Sequence, residues 1–130
     1  MAEKIKLVQG DTKPVIEVYL NDENSGEPIG LSGATVRMYF RALGETTILT
    51  TVLGTLLPGR LLPDGTKDAT PPYDTAGTGG HVQFAWAPGD LDQPAGAYEG
   101  EIEITFDPGG PTEAKQTVYT PLRFRIREDF

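Results

Sequence analysis

The chain has 130 residues, with nineteen acidic against eleven basic side chains, a formal charge of −8 and no cysteine. That length accommodates one domain with a core of its own, the charge repels phosphate backbones and anionic lipid, and without thiols neither disulfides nor thiolate metal sites form. Sixteen glycines and eleven prolines, with five Tyr and five Phe, punctuate the chain as they do a many-stranded β protein, so a single all-β domain over 1–130 is expected.

The start, Met1-Ala2-Glu3-Lys4-Ile5-Lys6, is charged and has no apolar signal region, and nowhere do about twenty apolar residues run together. Synthesis and solubility in a cytoplasm follow as the expectation, with neither nucleic acid nor membrane as a partner. A first short strand is expected over 5–8 and a turn at Gln9-Gly10-Asp11-Thr12-Lys13-Pro14. Over 15–20 the alternation is explicit: Ile16, Val18 and Leu20 share one face, Val15, Glu17 and Tyr19 the other. A polar turn cluster covers 21–28. Leu31-Ser32-Gly33-Ala34 then leads into a strand over 35–41, with Val36, Met38 and Phe40 opposed to Arg37, Tyr39 and Arg41.

The segment 46–53 is rich in β-branched residues, which suit a pleated surface. Periodicity then fails over 54–79, a connection longer than usual and therefore the main insertion of the chain. Alternation returns at His81, with Val82, Phe84 and Trp86 opposed to His81, Gln83 and Ala85. After a turn-rich 88–96, Tyr98, Ile102, Ile104 and Phe106 alternate with Glu99, Glu101, Glu103 and Thr105. Asp107-Pro108-Gly109-Gly110-Pro111 closes a hairpin into a last strand over 115–127. It carries Val118, Leu122, Phe124 and Ile126 inward and Arg123, Arg125 and Arg127 outward, with Pro121 at an edge or kink. Three outward Glu and three outward Arg on neighbouring strands predict cross-strand ion pairing.

Little of this is material for catalysis. His81 is the only histidine and reads as an exposed strand residue; Ser25 and Ser32, the only serines, lie in turns. Glu99, Glu101 and Glu103 share a strand face, but a flat solvated face does not tune carboxylates for acid–base work. Asp64, Asp68 and Asp74 offer oxygens to a calcium ion without the spacing of an EF-hand, and Thr78-Gly79-Gly80 opens no phosphate-binding helix. No enzyme activity, cofactor or metal is expected. Tyr19, Tyr39 and Tyr119 lie off the core face, on dispersed strands. The insertion is different: Leu56, Leu57, Leu61 and Leu62, with Tyr73, form either an apolar protein interface or a cover over an open end of the fold.

The stretch 80–106, with Trp86, the turn, and Tyr98 opening the next strand, resembles the centre of an immunoglobulin-like domain, where such a Tyr hydrogen-bonds back to the chain. An antiparallel β-sandwich of about seven to nine strands with one long loop follows from that likeness. A longer ordered set resembles the immunoglobulin-like N-terminal domain of phage baseplate upper proteins: Gln9-Gly10-Asp11-Thr12 with Pro14; Gly26, Pro28 and Leu31-Ser32-Gly33-Ala34-Thr35-Val36; Gly80, Val82, Phe84 and Trp86; Asp90; Gly96, Tyr98 and Glu101; Thr117 with Pro121. Gly30 stands where that family usually has Asp, and the 54–79 loop is longer. The resemblance implies a structural part of a tailed-phage virion, in its tail, baseplate or neck, with other virion proteins and copies of itself as partners. A capsid decoration or carbohydrate-recognition module contacting the host surface is the alternative.

Overall fold

Side chains that alternate between apolar and polar give a strand one dry and one wet face, and the chain resolves this demand by curling a sheet around its dry faces. The computed structural model describes residues 4–22, 24–118 and 121–128. They form ten strands: β1 (Ile5–Val8), β2 (Ile16–Tyr19), β3 (Thr35–Ala42), β4 (Thr50–Leu56), β5 (Arg60–Leu61), β6 (Lys67–Asp68), β7 (His81–Phe84), β8 (Gly96–Phe106), β9 (Ala114–Thr117) and β10 (Leu122–Arg127). Among the described residues there is no helix, hence none long and apolar enough to cross a membrane. The fold is all-β.

Eight strands make one curled mixed sheet in the order β1-β10-β8-β3-β4-β7-β2, with β9 also paired to β8; β5 and β6 form a separate hairpin. The strand count exceeds the expected seven to nine. The expectation of purely antiparallel pairing also fails, because β1 runs parallel to β10, with Ile5 opposite Phe124 and Leu7 opposite Ile126. Parallel neighbours need a long crossover, and the whole chain lies between these two.

The sheet turns over within β4. Residues 50–53 pair with β3, Phe40 opposite Thr50, whereas Gly54, Thr55 and Leu56 pair with β7, Leu56 opposite Val82. At the bend a Cβ on Gly54 would stand 2.6 Å from Val82 Cγ2 and 3.2 Å from the Val36 carbonyl, so only glycine lets the two halves approach. The β-branched run at 46–53 therefore enters the sheet four residues later than expected. What fixes the strand is where β3 and β7 offer partners, and propensity alone does not see that.

The core lies inside the curl. Phe40 is at its centre, edge-on to Trp86 (centroids 5.1 Å apart) and to Phe124 (5.5 Å), and stacked on Tyr98 (5.2 Å). Leu7, Ile16, Val36, Met38, Val82, Phe84, Ile102, Ile104 and Ile126 complete it, as the sequence alternation predicts. The Tyr98 hydroxyl donates to the Pro94 carbonyl four residues back (2.5 Å), the corner bond expected of a tyrosine opening this strand.

The last strand differs from the continuous 115–127 expectation. Both β9 and β10 pair with β8, at Thr105↔Lys115 and Phe124↔Tyr98 respectively, and Pro121 falls between them. Tyr119 and Thr120 lie outside the described residues. The predicted Glu–Arg pairing needs correction too. Arg123 is opposite Glu99, but Arg125 is opposite Ala97, so the acidic row of β8 meets β3 instead. Arg41 Nε donates to Glu99 (2.9 Å), Arg41 Nη2 lies 3.8 Å from Glu101, and the Tyr39 hydroxyl donates to Glu103 (3.1 Å). A central strand has two neighbours, and the alternation of one strand does not say which will supply its counter-charges.

Candidate functional site

The 54–79 insertion is the region that sequence analysis singles out, and it is built from turns that are individually short-range. Leu62 N–H donates to the Thr66 carbonyl and Gly65 N–H to that of Leu62, closing the β5–β6 hairpin. The Asp64 carboxylate accepts from both the backbone and hydroxyl of Thr66, which lowers its pKa. Across the hairpin Arg60 Nε donates to Asp68 Oδ2 (2.9 Å). Asp68 also accepts from the Thr70 hydroxyl and backbone N–H; these bonds first, and then Arg60, bring its carboxyl down to about 2. The Arg60 guanidinium lies over the Tyr73 ring, 4.2 Å from its centroid, so one side chain joins the hairpin to the return segment.

That assembly is tied to the sheet. Gly59 N–H donates to the Tyr73 carbonyl, Leu57 N–H to that of His81, Gly77 N–H to that of Leu57, and Leu31 N–H to that of Gly77. Gly79 packs so closely on the Gly59 carbonyl that no Cβ fits there. The insertion thus closes over the start of β7, and His81 lies beneath it with 1% of its surface exposed. The expectation of an exposed His81 is corrected: its Nδ1 is 3.1 Å from the Pro58 carbonyl, its Nε2 2.9 Å from Glu17 Oε1, and its ring stacks on Tyr19 with centroids 4.1 Å apart. A carbonyl only accepts, so Nδ1 carries a proton; Nε2 then completes an ion pair with Glu17 when it is protonated as well. The imidazole is a fastener between β2 and the insertion.

The five interface candidates separate into layers. Leu56 belongs to β4 and packs on the core from its edge. Leu57 is half-buried where the insertion leaves the sheet, and Tyr73 is half-buried against Arg60. Leu61 is 42% exposed. With half-buried Leu62, and with Pro63, it borders a groove of about 410 Å³ whose other wall is Asn21 and the Gly26-Glu27-Pro28 turn. The structure therefore brings Leu61 and Leu62 to one surface and turns Leu56 inward. Arg60, Asp68 and His81 hold this surface without standing out in the sequence, where the opposite charges of Arg60 and Asp68 across a Gly-containing turn are the one signal.

Other candidates have other employment. Tyr19 stacks one ring face on His81 and the Tyr39 hydroxyl donates to Glu103; the two rings lie on β2 and β3, which are not neighbours in the sheet order. Among the described residues no three His, Cys, Asp or Glu side chains gather as a metal site. Comparison with protein-family models and with curated proteins finds no match.

Proposed function

We propose that this chain is a non-enzymatic structural protein of a tailed-phage virion, a tail, baseplate or neck component made in the bacterial cytoplasm. It acts through contacts with other virion proteins and with copies of itself. The observation that carries the reading is the pairing of exposed Leu61 with Leu62 on a hairpin clamped by Arg60, Asp68 and Tyr73. Protein interfaces gain most from an apolar centre that is already ordered before contact. The groove beside the hairpin gives a partner side chain somewhere to enter.

An immunoglobulin-like sandwich is the finer fold reading. The neighbours β10-β8-β3 and β7-β2 correspond to the G-F-C and E-B strands of such a domain, and the Tyr98–Pro94 bond to its tyrosine corner. The segments that resemble the phage family fall at structural joints. Gln9 Nε2 donates to the Gln93 carbonyl, Gly10 N–H to that of Leu91, and Leu31 is fully buried before β3. Mass spectrometry of gradient-purified particles from a phage that encodes the chain tests the reading. The protein is expected at stoichiometric abundance; its absence from particles overturns the proposal.

A further inference from the structure

A second surface, at the opposite end of the sheet order from β2, has a chemistry of its own. The outer face of β1 and β10, with Lys4 just before β1, carries Lys4, Lys6, Arg123, Arg125 and Arg127, five of the eleven Lys and Arg in an acidic chain. Lys6 is directly opposite Arg125, a like-charge cross-strand pair that costs stability where nothing neutralises it. The acidic row that would neutralise it is engaged elsewhere, since Glu99 bonds Arg41. Lys4, Lys6, Arg123 and Arg125 form no ion pair among the described residues. Beside them a groove of about 350 Å³, lined by Lys4, Lys6, Val8, Arg125 and Arg127 and reaching down to Leu7 at the edge of the core, follows the edge strand. Among the described residues β1 pairs only with β10; on its other edge the Val8 carbonyl accepts from Asp11 N–H, and Lys6 has backbone groups to offer.

We infer that this edge receives an extended acidic segment of a partner protein, added alongside β1 with carboxylates and apolar side chains alternating. The period of two sets carboxylates on the outer face, beside Lys4 and Lys6, and apolar residues on the inner face, where they extend the core side of β1 at Ile5 and Leu7, while the main chain pairs with β1. A nucleic acid fits less well. Its phosphates gain nothing from the apolar inner side of the edge, and a backbone extending past the patch meets the acidic remainder of the molecule. Lysines on an edge strand also discourage edge-to-edge aggregation, but that role alone gives no selective binding. The surface is distinct from the Leu61–Leu62 hairpin, so either proposal can fail without the other.

Fluorescence anisotropy with a labelled hexapeptide of alternating glutamate and valine tests the inference on the full chain. Saturable binding is expected, weakened by raising salt from about 50 to 200 mM. Lys6→Glu/Arg125→Glu should weaken it at least about tenfold, and Lys6→Gln/Arg125→Gln by less, as loss of close charge pairs does. Both positions are exposed, and an unchanged melting temperature verifies that each variant is folded. No saturable binding up to about 1 mM peptide overturns the proposal. So does equal affinity of the charge-reversed variant, or a short DNA duplex binding more tightly than the peptide at the same salt.

Discussion

The aromatic centre around Phe40 and the insertion over β7 are held by different physics. In the centre, Phe40, Trp86, Tyr98 and Phe124 interlock with almost no water-facing surface, and the stabilisation grows with apolar area removed from water. In the insertion, Leu61 is exposed over less than half of its surface, and order comes from directed bonds: Arg60 to Asp68, Gly59 to the Tyr73 carbonyl, and His81 between Pro58 and Glu17. An apolar core resists local opening because its contacts are shared by many strands. A clamp of a few polar bonds fixes a shape on the surface, and its local stability depends more on each single bond.

Breaking each region should therefore look different. Phe40→Ala removes the ring that touches three other aromatic residues and is expected to cost about 3–5 kcal/mol, read as a lowered urea midpoint for the whole molecule. His81→Ala empties a covered position and leaves the Pro58 carbonyl and Glu17 without their partner. A cost of about 1–3 kcal/mol follows, and hydrogen exchange should rise over 57–80 while β3 and β8 keep their protection. Equal loss of protection in both regions would contradict the separation drawn here. Tyr98→Phe keeps the stack on Phe40 and deletes only the corner bond to Pro94, about 1 kcal/mol by denaturant titration.

The smallest effect is one of pH. The Asp68 carboxyl is lowered from 3.8 to about 2 by Thr70 and Arg60, so its bonds stabilise the folded hairpin above the unfolded value. That contribution is lost as pH falls from about 4 towards 2. The protection factor of the Thr70 amide, its exchange corrected for the intrinsic pH dependence, should fall across that window, and in Asp68→Asn that fall should vanish.

The strands themselves were legible because burial imposes a period of two: Ile16-Val18-Leu20, Val36-Met38-Phe40 and Val82-Phe84-Trp86 all face the core as their spacing says. Tyr98 also does what its position after a turn suggested. What alternation cannot show is what lies against the wet face. His81 reads as exposed because its own strand is amphipathic, yet a segment that begins more than twenty residues earlier in the chain covers it. The same blindness assigned the glutamates of β8 to the arginines of β10, when β3 on the other side supplied Arg41. Parallel pairing of β1 with β10 joins the two ends of the chain and leaves no local trace. Within the insertion, leucine composition did point to a distinct surface, but separating inward Leu56 from outward Leu61 required the register of β4 on β7.

The central claim is that the clamped hairpin presents Leu61 and Leu62 for protein contact and that the fold does not need them there. The most direct test is the Leu61→Ser/Leu62→Ser variant, followed in parallel by its melting temperature and by its incorporation into particles. A melting temperature within a few degrees of the parent, corresponding to less than about 1 kcal/mol, is expected together with loss of incorporation. Full incorporation of the folded variant would contradict the claim.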